Sequence, residues 1–459
     1  MALPMPAPWL RALACLALAA AVHQAVAGPD ALRAGLALFT LIGALWMTQA
    51  LHLSVTALLV PLLAVAAGLM DMRGALASFA HPIIFLFLGG FALAAALQRH
   101  GLDRALAHAV LRLAAGHRDR AVALLFGLTA LLSMWISNTA TAAMVLPMAL
   151  GLLRNGDGHG EDHEADAPGG IGPRERMFVL LGVAYSASIG GIGTLVGSPP
   201  NAIAAAQAGI GFAEWMRFGL PMVALLLPLM VGVLYLMLRP HLGGRLVLVP
   251  EPFQWTPARR TTLAIFALTA AGWIGSAPLG QALGITADLD SWIAIAALVA
   301  LVASRTLDWD TLERQTHWGV LLLFGGGLAL SQVMQISGAS AFLAGALVDA
   351  VQGAPALWLL LGVVAFVVFL TELVSNTASA ALLIPIFLGV GPALGLSGPL
   401  LAAAIAVAAS CAFMLPVATP PNAIVFATQL VPQATMMRCG LVLNIVCIGA
   451  IALVAEVVF

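Results

Sequence analysis

Apolar runs close to the ~20 residues that a helix needs to cross a bilayer recur from end to end of the chain. They predict transmembrane spans near residues 10–27, 34–50, 53–70, 82–98, 176–209, 215–238, 261–279, 289–304, 316–337, 398–430 and 436–457. Two further apolar stretches, 119–153 and 355–391, are too long for one comfortable helix. Each carries a Ser-Asn-Thr cluster and a proline near its middle. Backbone groups freed by such a break find no water in the hydrocarbon, so the break is tolerated only inside protein or along a cavity. A re-entrant hairpin, entering and leaving on the same side, fits both stretches better than a straight crossing. Spans 176–209 and 398–430 also exceed one bilayer thickness and contain a Pro-Pro pair. Proline lacks an amide donor and crowds the preceding turn, so both are predicted to be discontinuous helices. The predicted fold class is an all-α polytopic membrane protein, with about eleven transmembrane helices plus two re-entrant hairpins.

The polar positions inside these runs repeat. Ser137-Asn138-Thr139 is followed by Ser198-Pro199-Pro200-Asn201, and Ser375-Asn376-Thr377 by Thr419-Pro420-Pro421-Asn422. The flanks agree as well, ISNTATAAMVLP beside VSNTASAALLIP and SPPNAI beside TPPNAI. Gly90-Phe91-Ala92-Leu93 with Gly101 matches Gly327-Leu328-Ala329-Leu330 with Gly338 at an offset of 237. Asn138 and Asn376 differ by 238 and Asn201 and Asn422 by 221, a change that a polar insertion between Arg154 and Arg176 mostly accounts for. The chain divides into an N-terminal helix (1–33), a first repeat (34–240), a cytoplasmic linker (241–260) and a second repeat (261–459). A lone polar cluster in a membrane helix often serves only as an interhelical hydrogen-bond partner. Four at matched positions argue for one pocket built from two halves.

Composition fixes the solvent. Of 459 residues, 62% are hydrophobic and 8% charged, with a mean hydropathy of +1.04. That excludes a soluble domain of this size. The net charge of -1 says nothing about partners, because the charges sit in loops. Arginine placement gives the orientation. With the N-terminus cytoplasmic and both hairpins returning to their own side, only Arg33, Arg73 and Arg217 of the 19 basic residues fall outside. This positive-inside signal puts the C-terminus on the extracytoplasmic side. Segment 99–118 is Arg-rich while its counterpart 336–354 has no Arg. Homologous segments therefore lie on opposite faces, and the repeats are inverted. Arg11, the apolar run after it and Ala25-Val26-Ala27 imitate a signal peptide; a first transmembrane helix is the preferred reading. Cys15, Cys411, Cys439 and Cys447 show no metal-ligand spacing and read as buried thiols. The acidic insertion 156–166, with two His, reads as a solvated linker in preference to a metal site.

Inverted repeats with paired broken helices are the pattern of a secondary transporter whose site lies near the midplane. Ser and Thr hydroxyls and Asn carbonyls are neutral oxygen donors suited to a hard cation such as sodium. Broken helices add free backbone carbonyls for a cation and N-terminal amides for an anion. No Arg lies in any of the four signatures. A bound anion is therefore expected to be balanced by bound cations and helix dipoles, with no fixed positive side chain in the pocket.

The paired Ser-Asn-Thr hairpins and Pro-Pro-Asn breaks resemble those of the divalent-anion/sodium symporter family, which includes bacterial sodium-dicarboxylate and sodium-citrate cotransporters. The likeness runs from about residue 34 to the end. It implies one sodium at Ser133, Ser137, Asn138 and Gly197, and a pseudosymmetric sodium at Thr371, Val374, Asn376 and Ala418, some of these through backbone carbonyls. It implies substrate carboxylates between the motifs, at Asn138, Thr139, Ser198, Pro199, Asn376, Thr377, Thr419 and Pro420. It further implies a homodimer in the bacterial inner membrane, in which an apolar scaffold holds a sliding, elevator-type bundle. No cofactor is implied; sodium ions are co-transported substrates. The expected activity is import of C4-dicarboxylates such as succinate, malate or fumarate. Citrate, sulfate or another oxyanion, and proton-coupled or exchange transport, stay open.

Other candidates read more blandly. Glu372, three residues before Ser375, is the one carboxylate set beside a hairpin tip, and it could bind a proton or cation or anchor the hairpin. The anchor is preferred, because the first repeat has Met134 at the equivalent place. Glycines 89–90 and 325–327 read as close-packing sites, and His81 and His317 as residues at span ends. An intramembrane enzyme would need a nucleophile with a base or a metal cluster at depth. Neither HExxH nor GxSxG occurs.

Overall fold

A computed structural model of the chain describes residues 7–154, 172–243, 253–285, 287–350, 355–391 and 396–458; the acidic insertion 156–166 lies outside them. Every regular element among the described residues is helical. Helix α1 (Pro8–Ala25) packs on α2 (Asp30–Thr48), with Cys15 and Ala19 against Leu41 and Leu45. Then come α3 (Leu53–Ala66), the short α4 (Met72–Ala77), α5 (Pro82–Arg99) and α6 (Leu102–Arg112). The first hairpin is α7 (Arg118–Ser133) and α8 (Asn138–Arg154). Helix α9 (Pro173–Gly190) ends in one tight turn, and α10 (Pro199–Ala208) resumes with its prolines in the first turn, where no amide donor is needed. Helix α11 (Phe212–Leu238) closes the first half.

The second half repeats the order. Helix α12 (Pro257–Ile274) turns by 86° into α13 (Ser276–Leu283), followed by α14 (Leu289–Ala303), α15 (Trp309–Gln315), α16 (Trp318–Ile336) and α17 (Ala339–Ala350). The second hairpin is α18 (Ala356–Thr371) and α19 (Asn376–Val390). The second broken helix is α20 (Gly398–Ser410) and α21 (Pro420–Phe426), and α22 (Gln433–Val458) ends the chain. Six described helical segments are long and apolar enough to cross a membrane on their own, or up to seven if the bent pair counts as one. Helix α1, of 18 residues, is not among the six, and other predicted spans are shorter: α3 has 14 residues and α14 has 15. The predicted span 261–279 is not straight. Gly275 ends α12, and Pro278 enters the first turn of the next helix. Pro147 and Pro385 lie inside α8 and α19, so both hairpins turn at Ser-Asn-Thr and not at proline.

The halves share matched contacts. Ser54 Oγ donates to the Gly319 carbonyl at 3.3 Å, and Ser291 Oγ to the Pro82 carbonyl at 2.7 Å. Both partners of one pair are 237 residues from those of the other. A Cβ on Gly89 would stand 2.5 Å from the Ala294 carbonyl oxygen, and one on Gly326 would stand 2.6 Å from the Ala57 Cβ. These glycines are close-packing sites. Helix α5 packs on α14 while α16 packs on α3, and α10 on α20 while α21 packs on α9. Such exchange of partners is what a two-fold pseudo-axis between halves produces.

Candidate functional site

Each polar signature opens a helix: Asn138 begins α8, Pro199 α10, Asn376 α19 and Pro420 α21. The four helix starts converge on one cavity of about 570 Å³. Ser137, Asn138, Thr139, Gly197, Ser198 and Pro199 line it from the first half. Val374, Asn376, Thr377, Ala418, Thr419 and Pro420 line it from the second. Ser133 and Thr371 stand behind this lining, fully buried. Helix N-termini present unpaired amides and the positive end of the helix dipole, so the cavity favours an anion without a charged side chain in the motifs.

Behind the first tip, Ser133 Oγ donates to the Ala187 carbonyl at 2.6 Å. One amide atom of Asn138 sits 2.7 Å from Ser133 Oγ and 3.2 Å from the carbonyl oxygens of Ala187 and Gly197. As nitrogen, that atom donates to its neighbours. The second tip repeats the motif. Thr371 Oγ1 contacts Asn376 Oδ1 at 2.7 Å and donates to the Ala409 carbonyl at 3.1 Å.

The second asparagine of each pair does different work. Asn201 Nδ2 donates to the carbonyls of Gly191 (2.9 Å) and Thr194 (2.7 Å), and Asn422 Nδ2 to those of Ala412 (3.1 Å) and Leu415 (3.0 Å). These carbonyls lie in the helix breaks, where the ladder cannot satisfy them. Proline breaks each helix, and the asparagine two or one residues on closes the gap.

Glu372 is an anchor. Its carboxylate accepts from the backbone amides of Phe413 (2.7 Å), Met414 (2.8 Å) and Leu415 (3.0 Å), and from Asn444 Nδ2 at 2.7 Å. It therefore ties the second hairpin to the break between α20 and α21 and to α22. The first tip is held otherwise: Thr194 Oγ1 donates to the Met134 carbonyl, and Trp215 Nε1 to the Ile192 carbonyl at 2.9 Å. The four cysteines are free and buried.

The cavity also contains residues that the motif search passed over. Arg11 of α1 lines it, with Gln49, Phe87, Phe91 and His317. The expectation of a pocket without a fixed cation is therefore wrong. Arg11 sits in the N-terminal helix, outside the repeated motifs; its position beside a long apolar run is the available signal. His317 is a wall residue, edge-on to Phe91 at 5.3 Å between centroids. His81 lines a separate cavity of about 740 Å³ with Arg217, Asp288 and Asp290.

A family described as citrate transporter matches residues 44–409. An uncharacterized transporter of Haemophilus influenzae is 48% identical over 425 residues, 91% of this chain and 90% of that one. The sodium-dependent dicarboxylate transporter SdcS of Staphylococcus saprophyticus is 33% identical over 433 residues, 89% of this chain and 82% of that one. The chain belongs to the divalent-anion/sodium symporter family. The YdaH transporter of Alcanivorax borkumensis shares the fold, with a TM-score of 0.56 at 17% identity over 84% of this chain and 86% of that one. As a member of this family the protein is a multi-pass membrane transporter, and the intramembrane-enzyme reading falls.

Proposed function

We propose that the protein is a sodium-coupled symporter that imports C4-dicarboxylates such as succinate, malate or fumarate by alternating access. The observation that carries this reading is the pair of oxygen-rich clusters around Asn138 and Asn376, set behind one cavity at the starts of four helices. Ser133, Ser137, Asn138 and Gly197 hold one sodium, and Thr371, Val374, Asn376 and Ala418 the other. Gly197, Val374 and Ala418 contribute backbone carbonyls only, because their side chains carry no donor atom. Thr139, Ser198, Thr377 and Thr419 offer hydroxyls to the carboxylates beside the amides of both asparagines. Pro199 and Pro420 bring their helix starts up to the anion.

The bundle of hairpins, α9–α11 and α20–α22 slides against a scaffold of α1–α5 and α12–α16, in a homodimer with a cytoplasmic N-terminus. On that orientation the cavity, which reaches Arg11 and Gln49, opens inward. The relative named as a sodium-dependent dicarboxylate transporter supports both ion and substrate class. Citrate is the second reading, favoured by the description of the matching family. The test is uptake of labelled succinate, citrate and sulfate into proteoliposomes under inward sodium and inward potassium gradients. Succinate accumulation under sodium alone is expected. Accumulation of citrate or sulfate instead replaces the substrate, and equal uptake in potassium removes the sodium coupling.

A further inference from the structure

Arg11 is placed by packing. Its helix is pinned to the end of α2 by the Arg11 Nη1 bond to the Thr48 carbonyl at 2.6 Å and by Cys15 Sγ against Thr48 Oγ1 at 3.6 Å. The guanidinium lines the same cavity as both Ser-Asn-Thr tips, yet it belongs to neither repeat motif. Its Nη1 is engaged by Thr48, and no carboxylate balances its charge among the described residues. Nor does a carboxylate among those residues line this cavity. A cavity wall with a guanidinium and no counter-charge favours an anion, and a carboxylate can take a charge-assisted N–H bond from it. Arg314 lines an adjoining cavity of about 270 Å³ that shares Ser137, Phe91 and His317, which puts a second positive charge near this one. Charges of one sign along a low-dielectric cleft raise the local concentration of the opposite ion.

We propose that Arg11 forms a second anion subsite on the stationary wall of the cavity, taking one carboxylate of a small dicarboxylate while the cavity opens on the Arg11 side. The inference rests on the dicarboxylate reading above. Because α1 packs on α2 and contributes nothing to the hairpins, the subsite stays behind when the bundle moves. Affinity for the dianion should therefore depend on Arg11 from one side of the membrane only. A monoanion, with a single carboxylate already held at the tips, should be indifferent to it.

The test measures half-saturation for succinate and for monomethyl succinate from each face, in right-side-out and inside-out vesicles with sodium present. Arg11→Gln should raise the succinate value about tenfold at the Arg11 face, the loss of one charge-assisted bond. The opposite face and the monoester should change less than twofold. Arg11→Lys, which keeps the charge without the guanidinium, should recover part of the loss. Arg11→Cys, in a background without the native thiols, extends the test to a single folded preparation. Attaching an ethylammonium group should restore succinate affinity at that face, and an ethylsulfonate group should lower it further. Equal effects at both faces, equal effects on the monoester, or indifference to the attached charge would overturn the subsite and leave Arg11 a staple of α1. If the unsubstituted protein carries succinate with sodium, such a result condemns the subsite alone. If it carries no dicarboxylate at either face, the functional reading fails and the subsite falls with it.

Discussion

The first hairpin tip carries Trp135 and, across from it, Val196; the second carries Leu373 and Val417 at the matching positions. Trp135 stacks with Phe212 and Trp273 and meets Phe266 edge-on at 5.2 Å, and Val196 is 8% exposed. Leu373 is 74% exposed and Val417 84%. All four side chains are apolar, so their chemistry does not explain which pair is covered. Leaving a Leu and a Val in the open costs on the order of 2–4 kcal/mol against burying them. The cost is borne at one tip only, although the hydrogen bonds behind both tips are alike. On the proposed alternating-access cycle, two equivalent tips in unequal surroundings are one half of it, and the opposite state should exchange their environments.

The strongest test of that comparison is reversal of access. Val417→Cys and Val196→Cys are each placed in a background where the four native thiols are replaced. An impermeant thiol reagent should label position 417 from the Arg11 side and leave position 196 untouched in the state described. Conditions that let the bundle cross should protect 417 and open 196 to the other side. An unneutralised charge at the bilayer centre costs at least ~2.5–3.5 kcal/mol even on insertion scales. Sodium alone should therefore hold the bundle on one side, and sodium with a dianion should release it. Labelling of both positions from one side under every condition would describe a static pore.

Next in size is the difference in anchoring. Glu372 is 4% exposed and accepts four hydrogen bonds, so Glu372→Ala leaves three backbone amides and an amide side chain without an acceptor. Bonds to a charged group contribute about 1.5–3 kcal/mol each, and even with partial relaxation the loss should reach ~3 kcal/mol. Met134→Ala, at the equivalent place, removes only half-buried apolar surface and should cost about 1–2 kcal/mol. Thermal unfolding in detergent measures both. A Glu372→Ala protein as stable as Met134→Ala would remove the anchor.

The ion clusters should respond alike where the anchors differ. Asn138→Ala and Asn376→Ala each remove a side-chain oxygen from a desolvated cation, at about 1.5–3 kcal/mol, or roughly ten- to a hundredfold in sodium half-saturation. Sodium and dianion binding must also be linked reciprocally, so succinate should be held more weakly in both variants at fixed sodium. Normal sodium dependence in either one, at normal expression, would withdraw that cluster from the coupling scheme.

Much of this architecture was legible because membrane burial makes polar residues costly. Ser137, Asn138, Asn376 and Thr419 stood out of apolar sequence, and their doubling located both hairpins and both breaks. Spans were less legible than sites. Hydropathy does not register that the chain turns by 86° at Gly275, since Trp273, Ile274, Ala277 and Leu279 keep the stretch apolar across the bend. Nor does it separate Pro147, which the helix tolerates, from Pro199, which starts one. Glu372 was legible as an anchor by its unmatched partner Met134, but its acceptors' donors, three amides 41 to 43 residues away, were not. Arg11 was missed because a motif search looks inside the repeats, and this residue comes from outside them.

The smallest expected effect is the finest check on the two-fold relation. Ser54 and Ser291 make the same bond in opposite halves, to carbonyls in the first turn of α16 and α5. Those carbonyls belong to a helical ladder and keep an intrahelical donor when the hydroxyl is lost. Neither Ser→Ala change thus leaves a buried acceptor bare. Membrane hydrogen bonds of this kind average ~0.6 kcal/mol. The bond from Ser291 is the shorter, 2.7 Å against 3.3 Å, so Ser291→Ala should cost more than Ser54→Ala. The two pairs share no partner, so the double variant should lose the sum of the single losses within ~0.5 kcal/mol. A non-additive result would mean that the matched bonds report one another's packing, and that the halves move as a single body at this interface.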